Sequence, residues 1–218
     1  MPLIRTIQID PGTRLGVWQI AESADFFETR VQVQSAIHHP HKRLQHLAGR
    51  YLLTSLFADF PIADIRITHN RKPVLTDGRF HFSISHCGDY AAAIISRTCS
   101  VGIDIEQMQP TIEKISGKFL NAAERAFIDP ARTLAHKTIC WSAKEAVYKW
   151  YGLGGIDFRA DIRLLPFPCR PAGFIHCDFE KEEDKALLHL QYLLENDLCL
   201  AWTLATEGAC APLSPGSK

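Results

Sequence analysis

No stretch of this chain stays apolar for the roughly 20 residues that a membrane-crossing helix needs, and no two of its cysteines stand in C-x-x-C spacing. The first absence leaves no membrane span to expect. The second, with an odd count of seven cysteines at 87, 99, 140, 169, 177, 199 and 210, argues against a disulfide framework and against a zinc ribbon. Excess charge is missing too: 24 Lys and Arg balance 24 Asp and Glu, for a net charge of 0. General nucleic-acid binding draws on a broad basic field, so no nucleic-acid partner is expected. Residues 1–11 have neither the basic opening nor the apolar run of a signal peptide. Together these absences describe a cytoplasmic protein with reduced thiols and no membrane partner.

What is present suits a globular protein with a sizeable core: 218 residues, 46% of them hydrophobic and 22% charged. A short strand is expected at 15–20, while 24–33 is ambiguous between helix and strand. Leu44, Leu47, Ala48, Tyr51, Leu52 and Leu56 recur at helical spacing, which predicts a helix over 41–57 that stops before Pro61. Further strands are expected at 65–68, at 101–106, and as a hairpin of 80–85 with 90–96. Phe80, Phe82 and Ile84 share one face of that hairpin. Asn121 and Glu124 have the spacing of a capping box, and a longer helix is predicted from 133 to 151, closed by Gly152. Strands at 156–165 and 172–179, a charge-dense loop at 178–185, and a last hairpin of 186–194 with 198–206 complete the reading. The order is helix and sheet, then helix and sheet again. It implies an α+β protein of two halves of about 100 residues each, packed without a linker. The halves are set at 1–102 and 103–207, with a frayed tail at 208–218.

Three segments carry chemistry. In Val101-Gly102-Ile103-Asp104-Ile105-Glu106, strand alternation sends Asp104 and Glu106 to one side and both isoleucines to the other. Two adjacent carboxylates repel unless a hard cation neutralises them, as Mg²⁺ does. The same alternation also fits an edge strand with two solvated acids. Between Trp141 and Trp150, the helical rule places Trp141, Glu145, Tyr148 and Lys149 on one side. Alone, Glu145 and Lys149 form an ordinary surface pair. In Phe82-Ser83-Ile84-Ser85-His86-Cys87-Gly88, Ser85 and His86 point opposite ways, which disfavours a nucleophile–base dyad and leaves an anion-binding turn or a structural turn. Residues 29–58 contain no Asp or Glu but carry Arg30, Lys42, Arg43 and Arg50 with four histidines; residues 65–76 are likewise acid-free. The N-terminal half thus offers cations and the stretch from Asp104 to Glu145 offers carboxylates, a division that suits a polyphosphate bridged by Mg²⁺. The run His38-His39-Pro40-His41 lacks the spacing and companions of a transition-metal site.

In order, these segments resemble the signature of the 4'-phosphopantetheinyl transferases, in the larger, surfactin-synthetase-activating type. The family pattern is Gly-Lys/Arg-Pro, Ser-His at a strand end, Gly-Ile-Asp-x-Glu, and Trp-Ser-x-Lys-Glu with a second lysine four residues on. Here it reads Arg71-Lys72-Pro73, Ser85-His86, Gly102-Ile103-Asp104-Ile105-Glu106 and Trp141 to Lys149. The last two segments are specific and the first is weak. The likeness spans about residues 43–149.

The resemblance implies two similar halves packed as a pseudo-dimer, with the active site in the cleft between them and no second chain required. It implies transfer of phosphopantetheine from coenzyme A to a serine of an apo acyl or peptidyl carrier protein, with release of adenosine 3',5'-bisphosphate. Asp104, Glu106 and Glu145 would hold Mg²⁺. Lys149 would face the pyrophosphate and assist the leaving group, and Lys144 would pair with phosphate or with the acids. Ser85, His86 and Lys72 would contact coenzyme A phosphates, with Arg43 and Arg50 toward its 3'-phosphate. Glu145, Lys149 and His86 are the catalytic candidates, Glu145 as the base. Arg71 stands where the family usually has glycine, and Cys87 where it usually has serine. The rival readings are another Mg²⁺-dependent phosphoryl or pyrophosphate enzyme, and an inactive homologue that docks carrier proteins.

Overall fold

The structure, a computed structural model, describes residues 3–31 and 37–205. The chain opens with a hairpin of β1 (Leu3–Asp10) and β2 (Thr13–Gln19), followed by helices α1 (Ala24–Val31) and α2 (Pro40–Leu56). Two short strands, β3 (Arg66–Ile67) and β4 (Pro73–Val74), lead to the hairpin β5 (His81–Cys87) and β6 (Tyr90–Ser96). Strand β7 (Val101–Gln107) begins the second half, which continues through α3 (Thr111–Phe119), α4 (Ala122–Phe127) and α5 (Thr133–Tyr151). It closes with β8 (Ile162–Leu164), β9 (Ala172–Lys181), β10 (Asp184–Glu195) and β11 (Leu198–Leu204). The strands form two antiparallel sheets, ordered β1-β2-β6-β5 and β7-β11-β10-β9-β8, with β3 and β4 paired apart.

Alternation along the strands explains the layering. One face of the first sheet, with Trp18, Ala91, Ala93 and Ile95, packs on Leu47, Ala48, Leu52 and Leu53 of α2. The other face, with Leu15, Val17, Ala92 and Ile94, meets Ile103, Ile105, Leu200 and Trp202 of the second sheet. The far side of that sheet carries Leu190, Cys199 and Ala201 against Ile139, Ala143, Ala146 and Val147 of α5. The result is helix, sheet, sheet, helix: an α+β protein in which each half lays one long helix on one antiparallel sheet. No helix among the described residues is long and apolar enough to cross a membrane.

Local chemistry fixes the long helices. Pro40 sits in the first turn of α2, where a missing N–H costs nothing, and His39 Nδ1 accepts from Lys42 N at 3.4 Å. Asn121 and Glu124 make the expected capping box. α5 ends on Gly152 at φ 72°, a left-handed C-cap. Gly102 lets α5 lie directly on β7, since a Cβ there would strike the Ala146 carbonyl.

The structure departs from expectation in several places. Residues 24–31 are helical, and β1 is an additional strand. Of 156–165 only Ile162–Leu164 is strand, because Asp157 Oδ1 accepts from Arg159 N and Ala160 N and bends the chain into a turn. Most of 178–185 belongs to β9 and β10, where Glu180 pairs with Lys185 of β10 and with Arg163 of β8. The sheets change between β6 and β7, so the expected division at 102/103 falls inside β7. The tail at 208–218 lies outside the described residues.

Candidate active site

The carboxylates are carried by β7, the edge strand of the second sheet. Its apolar residues enter the sheet–sheet core while Gly102, Asp104 and Glu106 take the opposite side, toward α5. Strand β5 abuts β7 through serines: Ser83 Oγ accepts from Ile103 N at 3.2 Å, and Ser85 Oγ donates to Asp104 Oδ1 at 2.8 Å. Lys149 of α5 comes in from the helix layer. Its Nζ lies 2.6 Å from Asp104 Oδ1 and 2.8 Å from Ser85 Oγ. Asp104 is only 2% exposed, and its Oδ2 is buried without a hydrogen-bond partner. Such an orphaned carboxylate oxygen is costly and marks a place where a cation fits.

Glu106 and Glu145 lie near Asp104. Burial first, and then Asp104, raises the pKa of Glu106, against the hydrogen bond that Trp141 Nε1 donates to its Oε1 at 3.2 Å. Burial pushes Glu145 up to about 7, with Asp104 and Glu106 adding to the rise and Lys149 opposing it. Asp104 thus bears on both glutamates, and Lys149, bonded to Asp104, opposes the rise at each. Among the described residues no three His, Cys, Asp or Glu side chains are gathered tightly enough to enclose a metal ion as they stand. In this arrangement Lys149 occupies Asp104.

Ser85 and His86 point opposite ways, as strand geometry requires. Ser85 is buried on Asp104 and His86 is exposed. Partial desolvation and then Lys149 lower the His86 pKa. The turn after it is held from α2, where Gln45 Nε2 donates to Gly88 O at 2.8 Å and His41 Nε2 lies 3.1 Å from the same oxygen. Lys72 is engaged at the C-terminus of α5, donating to Trp150 O at 3.1 Å, and burial lowers its pKa to about 8. It lines a cavity of about 600 Å³ with Phe80, His81, Phe82 and Trp150. Arg71 has φ 61°, the left-handed backbone that glycine adopts without strain, so the loop keeps that conformation despite the side chain.

One expectation is corrected. Lys144 does not face the site. It is fully buried behind α5, with Nζ bound to Glu124 and to the carbonyls of Phe119, Phe158 and Ile162 at 2.7–2.9 Å. Its place on the helix puts it in line with buried Cys140 and Val147, away from Glu145 and Lys149. Arg43 is paired with Glu28 of α1 at 2.8 Å, both side chains partly exposed, while its Nε is buried without a hydrogen-bond partner. Arg50, by contrast, is buried with a ring nitrogen as partner, His46 Nδ1 at 3.0 Å. The contacts Ser85–Asp104 and Trp141–Glu106 had no sequence signal beyond the residues' presence in the three segments.

The structure thus brings a buried Asp104, the half-buried Glu106 and Glu145, Lys149 and Ser85 into one neighbourhood at the contact of β5, β7 and α5. The family model for the 4'-phosphopantetheinyl transferase superfamily matches residues 100–203, and that for the 4'-phosphopantetheinyl transferase N-terminal domain matches 27–96. The chain belongs to the 4'-phosphopantetheinyl transferase superfamily. Among similar proteins, enterobactin synthase component D of Salmonella typhi is 35% identical over 114 residues, covering 50% of this chain and 47% of that one. The 4'-phosphopantetheinyl transferase psf-1 of Bacillus pumilus is 38% identical over 89 residues, 39% of this chain and 38% of its own. The 4'-phosphopantetheinyl transferase AcpT of Salmonella typhi is 31% identical over 117 residues, 51% and 60%. The chain thus spans about half the length of the curated relatives it matches. The holo-[acyl-carrier-protein] synthase of Thermotoga maritima aligns at 21% identity and a TM-score of 0.35, covering 49% of this chain and 62% of that one.

Proposed function

We propose that this chain transfers 4'-phosphopantetheine from coenzyme A to a serine hydroxyl of an apo acyl or peptidyl carrier protein and releases adenosine 3',5'-bisphosphate. The observation that carries the reading is the junction of Lys149, Ser85 and Asp104 beside Glu106 and Glu145. Lys149 is bonded to Asp104; Glu106 and Glu145 lie nearby, and Oδ2 of Asp104 is buried and unpartnered. That donor set fits a hard divalent cation, Mg²⁺, held by Asp104, Glu106 and Glu145. Bound there, the cation supplies charge neutralisation to the diphosphate.

The chain's own residues do the rest. Trp141 orients Glu106 through its indole N–H. Lys149, bonded to Asp104 and one helical turn from Glu145, is the group assigned to face a diphosphate and to stabilise negative charge on the departing phosphate. Ser85 holds both Lys149 and Asp104 in position. Glu145, on the same face of α5 as Lys149, is the group that accepts the proton of the incoming serine. His86, Lys72 and Arg50 are the groups assigned to contact the phosphates of coenzyme A. The reading has the chain acting as a monomer, since two sheets of one chain form its central core, and it needs no nucleic-acid or membrane partner. The free thiols at six described cysteines suit the reducing cytoplasm.

Intact-mass analysis of a panel of apo carrier proteins, incubated with coenzyme A and Mg²⁺, tests the reading. One phosphopantetheine group is expected on a carrier serine, and Asp104→Ala should abolish it while leaving the fold intact. Breakdown of coenzyme A without any carrier would point instead to a hydrolase. Carrier binding without any mass gain would point to an inactive docking homologue.

A further inference from the structure

On α2, His46 and Arg50 lie one turn apart, and Arg50 Nη1 donates to His46 Nδ1 at 3.0 Å. Arg50 is 8% exposed, and among the described residues no carboxylate pairs with it. A buried guanidinium without a counter-charge is expensive, and burial lowers its pKa. A protein that needed only helix stability there would place an apolar residue or an acid at position 46. To accept at Nδ1, the His46 ring must be neutral with its proton on Nε2. Burial foremost, then Arg50 and His86, pushes the His46 pKa down to about 4, so the ring remains an acceptor at neutral pH. His86 in turn feels Lys149. Arg50 and His46 thus form a buried donor–acceptor pair on α2, near enough to His86 for that ring to bear on His46.

We propose that His46 is a positioning residue: its Nδ1 aims the Arg50 guanidinium at the phosphate monoester of the nucleotide, and this sets the preference for a 3'-phosphorylated ligand. The inference rests on the function proposed above, and specifically on the 3'-phosphate lying at Arg50. A neutral acceptor orients the guanidinium without cancelling its charge, which a carboxylate at the same position would do.

Calorimetric titration of the full chain with adenosine 3',5'-bisphosphate and with adenosine 5'-monophosphate tests it. The wild type should prefer the bisphosphate. His46→Leu should shrink that preference roughly tenfold, the scale of one charge-assisted hydrogen bond, and leave the monophosphate affinity within about twofold. His46→Asn, whose Oδ1 reaches the place of Nδ1, should retain most of the preference. His46→Asp, which gives Arg50 a carboxylate and keeps the helix contact, should lose it; this variant decides the matter should His46→Leu fold poorly. An undiminished preference in His46→Leu or His46→Asp overturns the inference, as does a parallel loss of monophosphate affinity. A wild type that does not distinguish the two nucleotides removes the 3'-phosphate from Arg50, and the role of His46 falls with it.

Discussion

Replacing Lys144 by methionine takes away the one cation at the centre of a buried polar knot. Its ammonium binds both oxygens of Glu124, which is 1% exposed, and three backbone carbonyls. Methionine matches the volume of the stem but supplies no donor. Glu124 keeps its bonds from Asn121 N and Leu164 N, both at 2.9 Å, yet its charge is left uncompensated. Removing one partner of a buried pair costs about 3–5 kcal/mol. At about 2–4 °C per kcal/mol for a chain of this size, the melting temperature should fall by roughly 6–20 °C. Adding Glu124→Gln should recover about 1–3 kcal/mol relative to the sum of the single changes, because the stranded carboxylate is gone. Thermal melts followed by circular dichroism read all three variants, and coenzyme A affinity is measured below the transition. A lysine that touched the ligand would behave in the opposite way. Lys144→Met with an unchanged melting temperature and a tenfold weaker affinity for coenzyme A would refute the buried-clamp argument.

Two further outcomes follow from close packing and from burial. Gly102→Ala should destabilise the protein by about 3 kcal/mol or more, because the new methyl meets the Ala146 carbonyl and comes within 2.7 Å of Trp150 N, both backbone atoms that cannot swing away; urea unfolding gives the value, and a change under about 1 kcal/mol would contradict the contact. Lys72 is held to about 8, below its ordinary 10.5, so the unfolded chain keeps its proton between those values while the folded chain loses it. Stability relative to Lys72→Met should therefore rise as pH increases from about 8 to 10.5 and stay flat below 8, as melts across that range will show.

Much of the site was legible because β7 and α5 are regular. Strand alternation placed Asp104 and Glu106 together, and helical spacing placed Glu145 beside Lys149. The same helical spacing also separates Lys144 from them: residues 140, 143, 144 and 147 are buried, while 141, 145, 148 and 149 are partly exposed. Motif order drew Lys144 toward the site, and helix phase takes it away. The pairing of Arg43 with Glu28 was hidden because it depends on α1, whose sequence was ambiguous. Ser85 and Asp104 meet across two sheets, a tertiary contact that no periodicity encodes. The turn at Asp157 replaced a predicted strand because a side-chain oxygen captured two backbone donors locally, and an apolar pattern does not register that competition.

The proposed function stands on Asp104, Glu106 and Glu145 serving together as one site for a hard divalent ion, with Lys149 bonded to Asp104 in this structure. Titration of the protein with Mn²⁺, read by electron paramagnetic resonance with and without coenzyme A, tests it most directly. The account predicts one strong site per chain in the presence of coenzyme A, weakened at least tenfold by Asp104→Asn. Equal Mn²⁺ binding by wild type and Asp104→Asn, or no binding by either, would contradict it.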